Sequence, residues 1–121
     1  MRRKYSLRAN ADFQRIRREG RSLVHPLLVI VTLPNGLEHS RFGFAVGRRV
    51  GKAVDRNRLK RQMRESVRVR IQKREIAAGW DVVFIARKRM RPISGSAASF
   101  HQVDEAIGLL LRRVGLVSGE L

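Results

Sequence analysis

The 121-residue chain contains no cysteine, and no apolar run in it approaches the roughly 18 residues that a membrane-spanning helix requires. Without cysteine it can form neither a disulfide framework nor a thiolate metal site, and it has no cysteine nucleophile. The amino-terminal stretch MRRKYSLRANADF begins with basic residues but lacks the apolar core of a signal peptide. The sequence therefore predicts a cytoplasmic protein that folds on its hydrophobic core alone.

Acidic residues are also scarce, since 10 Asp and Glu stand against 27 Lys and Arg, giving a formal charge of +17 and a pI near 11.9. So large an excess of one sign repels itself in a compact state. It favours a polyanionic partner such as nucleic acid or an anionic membrane surface. With 43% apolar residues the chain can build one core, so residues 1–121 are expected to form a single domain.

The few acids and histidines do not form a catalytic or metal-binding pattern. Asp104 and Glu105 are adjacent and would point about 100° apart on a helix, while Glu65 and Glu75 are too far apart to hold one ion. The histidines lack ligand spacing and are expected to be surface or structural residues: His25, His39 and His101. The sequence therefore predicts no catalytic residue, protein-bound metal or protein-bound cofactor.

Three segments in the first half of the chain have clear secondary-structure patterns. Residues 11–20 predict a short helix, with Asn10 as its N-cap and Gly20 as a left-handed stop. The apolar run 27–33 predicts a buried strand, and the turn signal PNG after it predicts a hairpin with a return strand at 41–47. Large and small residues alternate in the return strand, so one of its sides carries only small residues: Gly43, Ala45 and Gly47. We call this the low side of the strand, and something large could lie on it.

The stretch from about 54 to 74 predicts an amphipathic helix docked on the sheet. Its apolar stripe recurs at four-residue intervals: Leu59, Met63, Val67 and Ile71. At about 100° per residue, four polar residues fall within roughly 60° of one another around the helix axis, on a different face from the apolar stripe. This group consists of Asn57, Arg61, Arg64 and Arg68. Packing of the stripe would therefore hold a row of cations in order on the exposed side.

A third strand at 80–87 follows Gly79, and it completes a strand-helix-strand unit whose two strands are expected to be parallel. Residues 88–99 are rich in Pro, Gly and Ser and predict a loop. A last helix, ending at the C-cap Gly115, is predicted from its apolar face: Val103, Ile107, Leu110, Leu111 and Val114.

The stretch GRRVGKA at 47–53 resembles a phosphate-binding loop, but it has one residue too few between its glycines. Ala53 also occupies the position at which Ser or Thr would hold magnesium. It is expected to be a strand-to-helix turn that does not hydrolyse nucleotides. Backbone N–H groups near Gly51 could still meet nucleic-acid phosphates where the helix begins, together with three neighbouring cations: Arg48, Arg49 and Lys52.

The helix cations are not offset by acids in the way that is usual on a solvated helix face. Arg56, Lys60 and Arg64 follow one another at four-residue intervals with no acid between them. Like charges at this spacing cost roughly a few tenths of a kcal/mol per pair, and bound phosphates would remove that cost. The helix is therefore predicted to bind phosphates. Phe13, on a short helix rich in Arg, is the candidate aromatic for stacking single-stranded nucleotides.

Residues 42–68, FGFAVGRRVGKAVDRNRLKRQMRESVR, resemble the signature of the bacterial ribonuclease P protein component, with its Arg-Asn-Arg core at 56–58. The stretch LRANADFQRIRREG resembles the family's amino-terminal helix and IARK at 85–88 its later strand end, so the resemblance covers nearly the whole chain. It implies an α+β fold, a small two-layer α/β sandwich with a central mixed sheet. It also implies a left-handed β-α-β crossover, where general rules favour a right-handed one.

The same resemblance implies the protein subunit of ribonuclease P, which binds the catalytic RNA subunit and the 5′ leader of precursor tRNA to assist endonucleolytic maturation of the tRNA 5′ end. The RNA subunit would be the ribozyme and would hold the Mg²⁺ ions. One protein is expected per RNA subunit, with no membrane partner. The alternative is a ribosomal or RNA-chaperone-type basic protein without a catalytic partner, which charge alone does not separate from the first.

Two groups of site residues follow from the resemblance, taken together with the three cations of the turn. The residues expected to contact the RNA subunit are Arg48, Arg49, Lys52, Arg56, Asn57, Arg58, Arg61, Arg64 and Arg68. The residues expected at the leader-binding cleft are Phe13, Arg17, Val31, Lys60 and Ala86. Arg17 and Val31 stand where family members often have aromatic residues, so weaker stacking of the leader is expected at these two positions.

Overall fold

The computed structural model describes residues 1–87 and 100–117. Within these residues, three α-helices and four strands follow in chain order: α1 (Asn10–Glu19), β1 (Arg21–Val24), β2 (Leu28–Pro34), β3 (Arg41–Val46), α2 (Ala53–Gln72), β4 (Trp80–Ala86) and α3 (Phe100–Arg113). The loop predicted at 88–99 lies outside the described residues. In the part of the chain that the structure describes, no helix is long and apolar enough to cross a membrane.

The strands form one mixed sheet in the order β1-β2-β4-β3. β4 runs antiparallel to β2 and parallel to β3, so the predicted parallel β-α-β unit is confirmed. The predicted hairpin between 27–33 and 41–47 is wrong, because β4 lies between these two strands. β4 suits the central position since consecutive apolar residues are buried on both faces of the sheet: Val82, Val83 and Phe84.

The strand β2 forms its hairpin with β1, which the sequence did not predict. The pairing runs from Arg21 opposite Thr32 to Val24 opposite Val29. β1 lies at the edge of the sheet, and all of its residues except Leu23 are exposed. It therefore lacks the apolar pattern by which a buried strand is recognised in a sequence.

Helices cover both faces of the sheet. On one face, residues that include Leu28 and Phe84 form the main core with α2 and α3. On the opposite face, Ile16 of α1 packs in a smaller cluster with Val31 and Val83. The α+β class with a central mixed sheet, implied by the resemblance, is confirmed, and α1 adds partial cover on the second face.

The apolar stripe predicted for α2 is confirmed. Leu59, Met63 and Val67 are completely buried against the sheet and α3, whereas Ile71 is only partly buried. Burial of each such side chain contributes about 1.5–3 kcal/mol. This gain exceeds the repulsion between the cations on the exposed side, so packing determines which way those cations point.

The helix ends differ in part from prediction. Ala9 is the N-cap of α1 and Asn10 is its first helical residue, so no side chain caps this helix. Gly20 has φ −81°, which is not left-handed. Glycine is required there because a Cβ atom would lie 2.6 Å from the carbonyl oxygen of Ile16. Gly115, by contrast, has φ 78° and ends α3 as predicted.

The turn that ends α2 places Arg74 in the left-handed region, with φ 56°. The N–H groups of Arg74 and Glu75 donate to the carbonyl oxygens of Ile71 and Arg70 at 3.0 and 2.9 Å, a pattern in which glycine is the usual residue. We expect Arg74→Gly to raise the free energy of unfolding by about 0.5–1 kcal/mol, because glycine relieves the Cβ strain. Denaturant unfolding measures this change. Arg74→Ala is the matched control, and an equal gain from it would assign the effect to the lost charge.

Candidate nucleic-acid interface

The exposed side of α2 carries four of the cations that were predicted as site residues, together with Asn57. Asn57, Arg58, Arg61 and Arg64 are exposed, and Lys60 is half-buried. We call these five residues the basic face. A shallow depression of about 530 Å³ runs along it and is lined by Val54, Asn57, Lys60, Arg61 and Arg64. The buried stripe on the other side of α2 holds this face outward, as the spacing predicted.

Two of the predicted RNA-contacting cations on α2 already have partners inside the protein. Arg68 donates to Glu65 at 2.7 and 2.8 Å and to Gln72 at 3.3 Å. The hydrogen bonding from Arg68 lowers the pKa of the Glu65 carboxyl. Arg56 donates to the carbonyl oxygen of Gly51 at 2.8 Å. Arg56 thus stabilises the turn before α2. A phosphate that contacts Arg56 or Arg68 would have to compete with these existing hydrogen bonds.

The other predicted cations have no carboxylate within 4.0 Å among residues 1–87 and 100–117: Arg48, Arg49, Lys52, Arg58, Lys60, Arg61 and Arg64. Neutralising them inside the protein would require acids that this part of the chain does not place nearby. Their charge is therefore available to an external anion.

The turn between β3 and α2 is the strand-to-helix turn that the sequence predicted. Arg48–Val50 forms a short 3-10 turn, with Val50 buried as its anchor and the two arginines exposed. At the start of α2 the Lys52 N–H donates to Oδ2 of Asp55 at 3.3 Å. A Cβ atom on Gly51 would lie 3.1 Å from Cβ of Asp55, so glycine permits this close approach. Phosphate contact by the turn stays a prediction.

A groove of about 610 Å³ lies beside β3, between the start of α1 and the middle of α2. Its lining residues are Met1, Ser6, Leu7, Arg8, Asn10, Phe13, Phe42, Phe44, Ala45, Val46, Lys60 and Arg64. The amino-terminal segment forms one wall, because the Leu7 N–H donates to the carbonyl oxygen of Phe42 at 2.8 Å. No sequence pattern indicated this wall.

Phe13 reaches the groove over the low side of β3. A Cβ atom on Gly43 would lie 2.6 Å from Cζ of Phe13, so the ring occupies the space that a side chain would need. The expectation that something large lies on the low side of this strand is confirmed at Gly43. Phe13 itself is half-buried, which leaves part of the ring open to the groove.

The structure brings together only some of the residues predicted for the leader-binding cleft. Phe13 and Lys60 line the groove together. Arg17 is exposed on α1, but it does not line the groove. Val31 and Ala86 are 2% and 7% exposed, the first beneath α1 and the second in the main core. These two side chains can shape the sheet, but they are not open to a ligand.

A buried carboxylate that was not predicted from the sequence joins α1 and β3 to the central strand β4. The Asp81 side chain is completely buried and accepts two hydrogen bonds from Arg41, both at 2.8 Å. It accepts two more, from Arg15 of α1 at 2.9 Å and from Asn35 at 3.0 Å. Because Arg15 lies on the helix that carries Phe13, this ion pair helps to position Phe13 in the groove.

Burial raises the pKa of the Asp81 carboxyl, but the hydrogen bonds from its three donor residues together outweigh burial. Its pKa therefore lies below the ordinary value of 3.8. The carboxylate stays ionised at neutral pH, so it serves as a structural anion. A lone Asp inside an apolar strand is the only sequence signal for this role.

A second carboxylate joins α2 to α3. Asp104 accepts hydrogen bonds from Ser66 and Arg70, each at 2.6 Å. Burial raises the pKa of Asp104, whereas the bonds from Ser66 and Arg70 lower it, and the net shift is downward. This residue therefore holds the two helices together and does not reach the basic face.

The histidines lie in separate structural environments. His25 accepts a hydrogen bond at Nδ1 from the Leu27 N–H at 3.0 Å, and burial lowers its pKa. His39 packs edge-on against Tyr5, and His101 lies 3.2 Å from a carboxylate one helical turn away. In the described residues, no three His, Asp or Glu side chains group as they would around a metal ion.

The fold and these surfaces define a small, strongly basic α+β protein that presents one ordered cationic helix beside an aromatic-lined groove. A family model for ribonuclease P matches residues 1–115. Among similar proteins, the ribonuclease P protein component of Roseiflexus castenholzii is 43% identical over 119 residues, covering 98% of this chain and 93% of the relative. That of Clostridioides difficile is 36% identical, covering 91% of each chain.

Solved structures give the same result. The RNase P protein of Thermotoga maritima matches with a TM-score of 0.78 and 39% identity, covering 89% of this chain and 96% of that one. The Staphylococcus aureus protein matches with a TM-score of 0.78 and 30% identity, covering 93% and 96%. The chain belongs to the bacterial ribonuclease P protein family, and it is the accessory protein subunit of this tRNA-processing endoribonuclease. The comparisons do not support the ribosomal or RNA-chaperone alternative.

Proposed function

We propose that this protein binds the RNA subunit of ribonuclease P through the basic face and the turn before α2, and takes the 5′ leader of precursor tRNA in the groove. The observation that carries the proposal is that Lys60 and Arg64 line both the groove and the depression along the basic face. One continuous cationic path therefore joins the two surfaces. Such a path suits a protein that holds two RNA strands side by side in the cytoplasm.

The groove has the two kinds of group that single-stranded RNA requires. Lys60 and Arg64 supply positive charge for the sugar-phosphate backbone, and Phe13 supplies a half-buried ring on which a base can stack. Stacking on an aromatic ring and contact with phosphates are largely independent of sequence. The groove would therefore accept leaders of different sequence.

We assign cleavage to the RNA subunit and its Mg²⁺ ions, with one protein bound per RNA. In this assignment the protein supplies positive charge where two polyanions meet. Each phosphate that a cation neutralises releases condensed counterions, so the protein lowers the concentration of Mg²⁺ that the RNA needs. The same contacts strengthen binding of a substrate that still carries its leader.

Reconstitution tests this function directly. The RNA subunit is assayed for cleavage of precursor tRNA over a Mg²⁺ titration, with and without the protein, at moderate salt. We expect the protein to lower the Mg²⁺ concentration for half-maximal cleavage and to strengthen binding of precursor tRNA relative to mature tRNA. The physical reason is the added counterion release and leader contact.

Two controls test whether the effect requires the leader and whether cleavage requires the RNA subunit. Mature tRNA lacks the leader, so its affinity should change little when the protein is added. Cleavage by the protein without the RNA subunit should not occur. An unchanged Mg²⁺ requirement, or an equal gain in affinity for mature tRNA, would contradict the proposal.

A further inference from the structure

Phe44 of β3 is a second aromatic side chain in the groove, and no sequence pattern marked it as a site residue. Its neighbour on the same side of the strand, Phe42, is 2% exposed and belongs to the core. Phe44 is only half-buried and lines the groove together with Phe13 and Arg64. A large apolar ring that stays partly open beside cations is therefore available for contact with a ligand.

The orientation of the Phe44 ring is set by the ring of Phe84, its partner on the neighbouring strand β4. Its centroid lies 5.9 Å from that of Phe84, and the two rings are within 9° of parallel. Phe84 is completely buried at the centre of the sheet, so it provides a rigid support. A ring held in this way loses little conformational entropy when a second flat group stacks on it.

A guanidinium group already lies over the Phe44 ring. The Cζ atom of Arg64 is 5.9 Å from the ring centroid, within the range of a cation–π contact. Arg64 is exposed and has no carboxylate partner within 4.0 Å among residues 1–87 and 100–117. It can therefore move from the ring to a neighbouring phosphate when a nucleobase takes its place.

Phe13 and Phe44 approach the groove from opposite sides of the strand. Phe13 lies over Gly43 on the α1 side of the sheet, whereas Phe44 belongs to the cluster on the α2 side. Ala45 lines the same groove and has only a small side chain. Because they lie on opposite sides of β3, the two rings cannot sandwich a single base, so each would contact a different nucleotide of one strand.

We propose that Phe44 is a second stacking platform of the groove, which takes a leader nucleobase distinct from the one that stacks on Phe13. This inference rests on the proposed function, since it assumes that the groove holds a single-stranded leader. It adds a specific residue and a specific contact to that function. Arg64 would release the Phe44 ring and bind the phosphate next to the stacked base.

The test pairs protein variants with abasic leaders. The reconstituted holoenzyme is measured for affinity to precursor tRNAs that carry a single abasic nucleotide at successive leader positions. Stacking on one ring is worth about 1–3 kcal/mol per base, so the wild-type protein should lose about fivefold or more in affinity at two separate positions. Phe44→Leu, which keeps a large apolar side chain against the core but removes the ring, should abolish the loss at one position only. Phe13→Leu should abolish it at the other.

Phe44→Tyr keeps an aromatic ring and should retain the sensitivity to the abasic nucleotide at both positions. This variant separates stacking from any effect of Leu on packing, and thermal unfolding of each variant checks that the fold is intact. If Phe44→Leu keeps the wild-type profile while Phe13→Leu changes it, the inference about Phe44 is wrong and the leader groove stands. If no leader position is sensitive in the wild-type protein, the inference and the proposed leader groove fail together.

Discussion

Replacing Asp81 by Asn is expected to lower the free energy of unfolding by about 3–5 kcal/mol, the range for removing one partner of a buried ion pair. The Asp81 side chain is completely buried and accepts four hydrogen bonds within 3.0 Å, from Arg41, Arg15 and Asn35. Asparagine has one acceptor oxygen and no charge, so at least one guanidinium loses its partner. Urea unfolding at pH 7 measures the loss.

The matched control is Glu65→Gln, the same chemical change in an exposed pair with Arg68. Both side chains of that pair are more than 40% exposed, and solvent screens such pairs strongly, so little change is expected. Equal losses from Asp81→Asn and Glu65→Gln would show that the buried ion pair is not what stabilises this corner of the fold.

The pH at which unfolding is measured gives a second check on the same variant. The pKa of Asp81 is lowered from 3.8 by its hydrogen-bond donors, so the stability that its charge supplies is complete above that pH and is lost as pH falls through the folded-state pKa. The difference in stability between wild type and Asp81→Asn should therefore shrink below about pH 4. A constant difference down to pH 2 would mean that the charge of Asp81 plays no part.

Replacing Arg58 and Arg61 together by Ala is expected to weaken binding to ribonuclease P RNA roughly 15- to 30-fold at 0.15 M salt. Both side chains are exposed on the basic face and have no carboxylate within 4.0 Å in the part of the chain described. Each phosphate contact contributes about 0.7–0.9 to the slope of log affinity against log salt, so the slope should become shallower by roughly 1.4–1.8. Filter binding over a salt series measures both quantities.

The control for this pair removes the same charge from another helix. Arg112 and Arg113 are exposed near the end of α3, and they line neither the groove nor the depression on α2. Arg112→Ala combined with Arg113→Ala should change the salt slope by much less. If both double variants shifted the slope equally, binding would depend on net charge, and the ordered arrangement on α2 would have no special role.

The position and orientation of α2 could be predicted because its signal is local and repeated. Leu59, Met63 and Val67 recur every four residues, and an α-helix places such residues on one side. Because these residues are buried, the basic face must point outward, and the spacing in the sequence is enough to predict this orientation. The class of partner could also be predicted, because a net charge of +17 on a chain with few acids indicates a polyanionic partner whatever the fold.

Strand order could not be predicted in this way. The apolar run 27–33 and the turn signal PNG are what a hairpin would show, yet β4 inserts between the two strands. Only the competition among all strands for the centre of the sheet decides this arrangement, and β4 is more completely buried than β2. Gly20 is a similar case, because its need for glycine comes from the carbonyl of Ile16 and not from its own φ.

The sequence by itself determined the polyanionic class of partner and the long amphipathic helix, since the first depends on composition and the second on spacing within a few residues. The tertiary structure decided which of the predicted residues meet. Ser6 pairs with Phe42 and Arg15 with Asp81 across long stretches of chain, and these contacts bring Phe13, Phe44 and Lys60 to one groove. Such contacts depend on how whole elements pack, which no local pattern encodes.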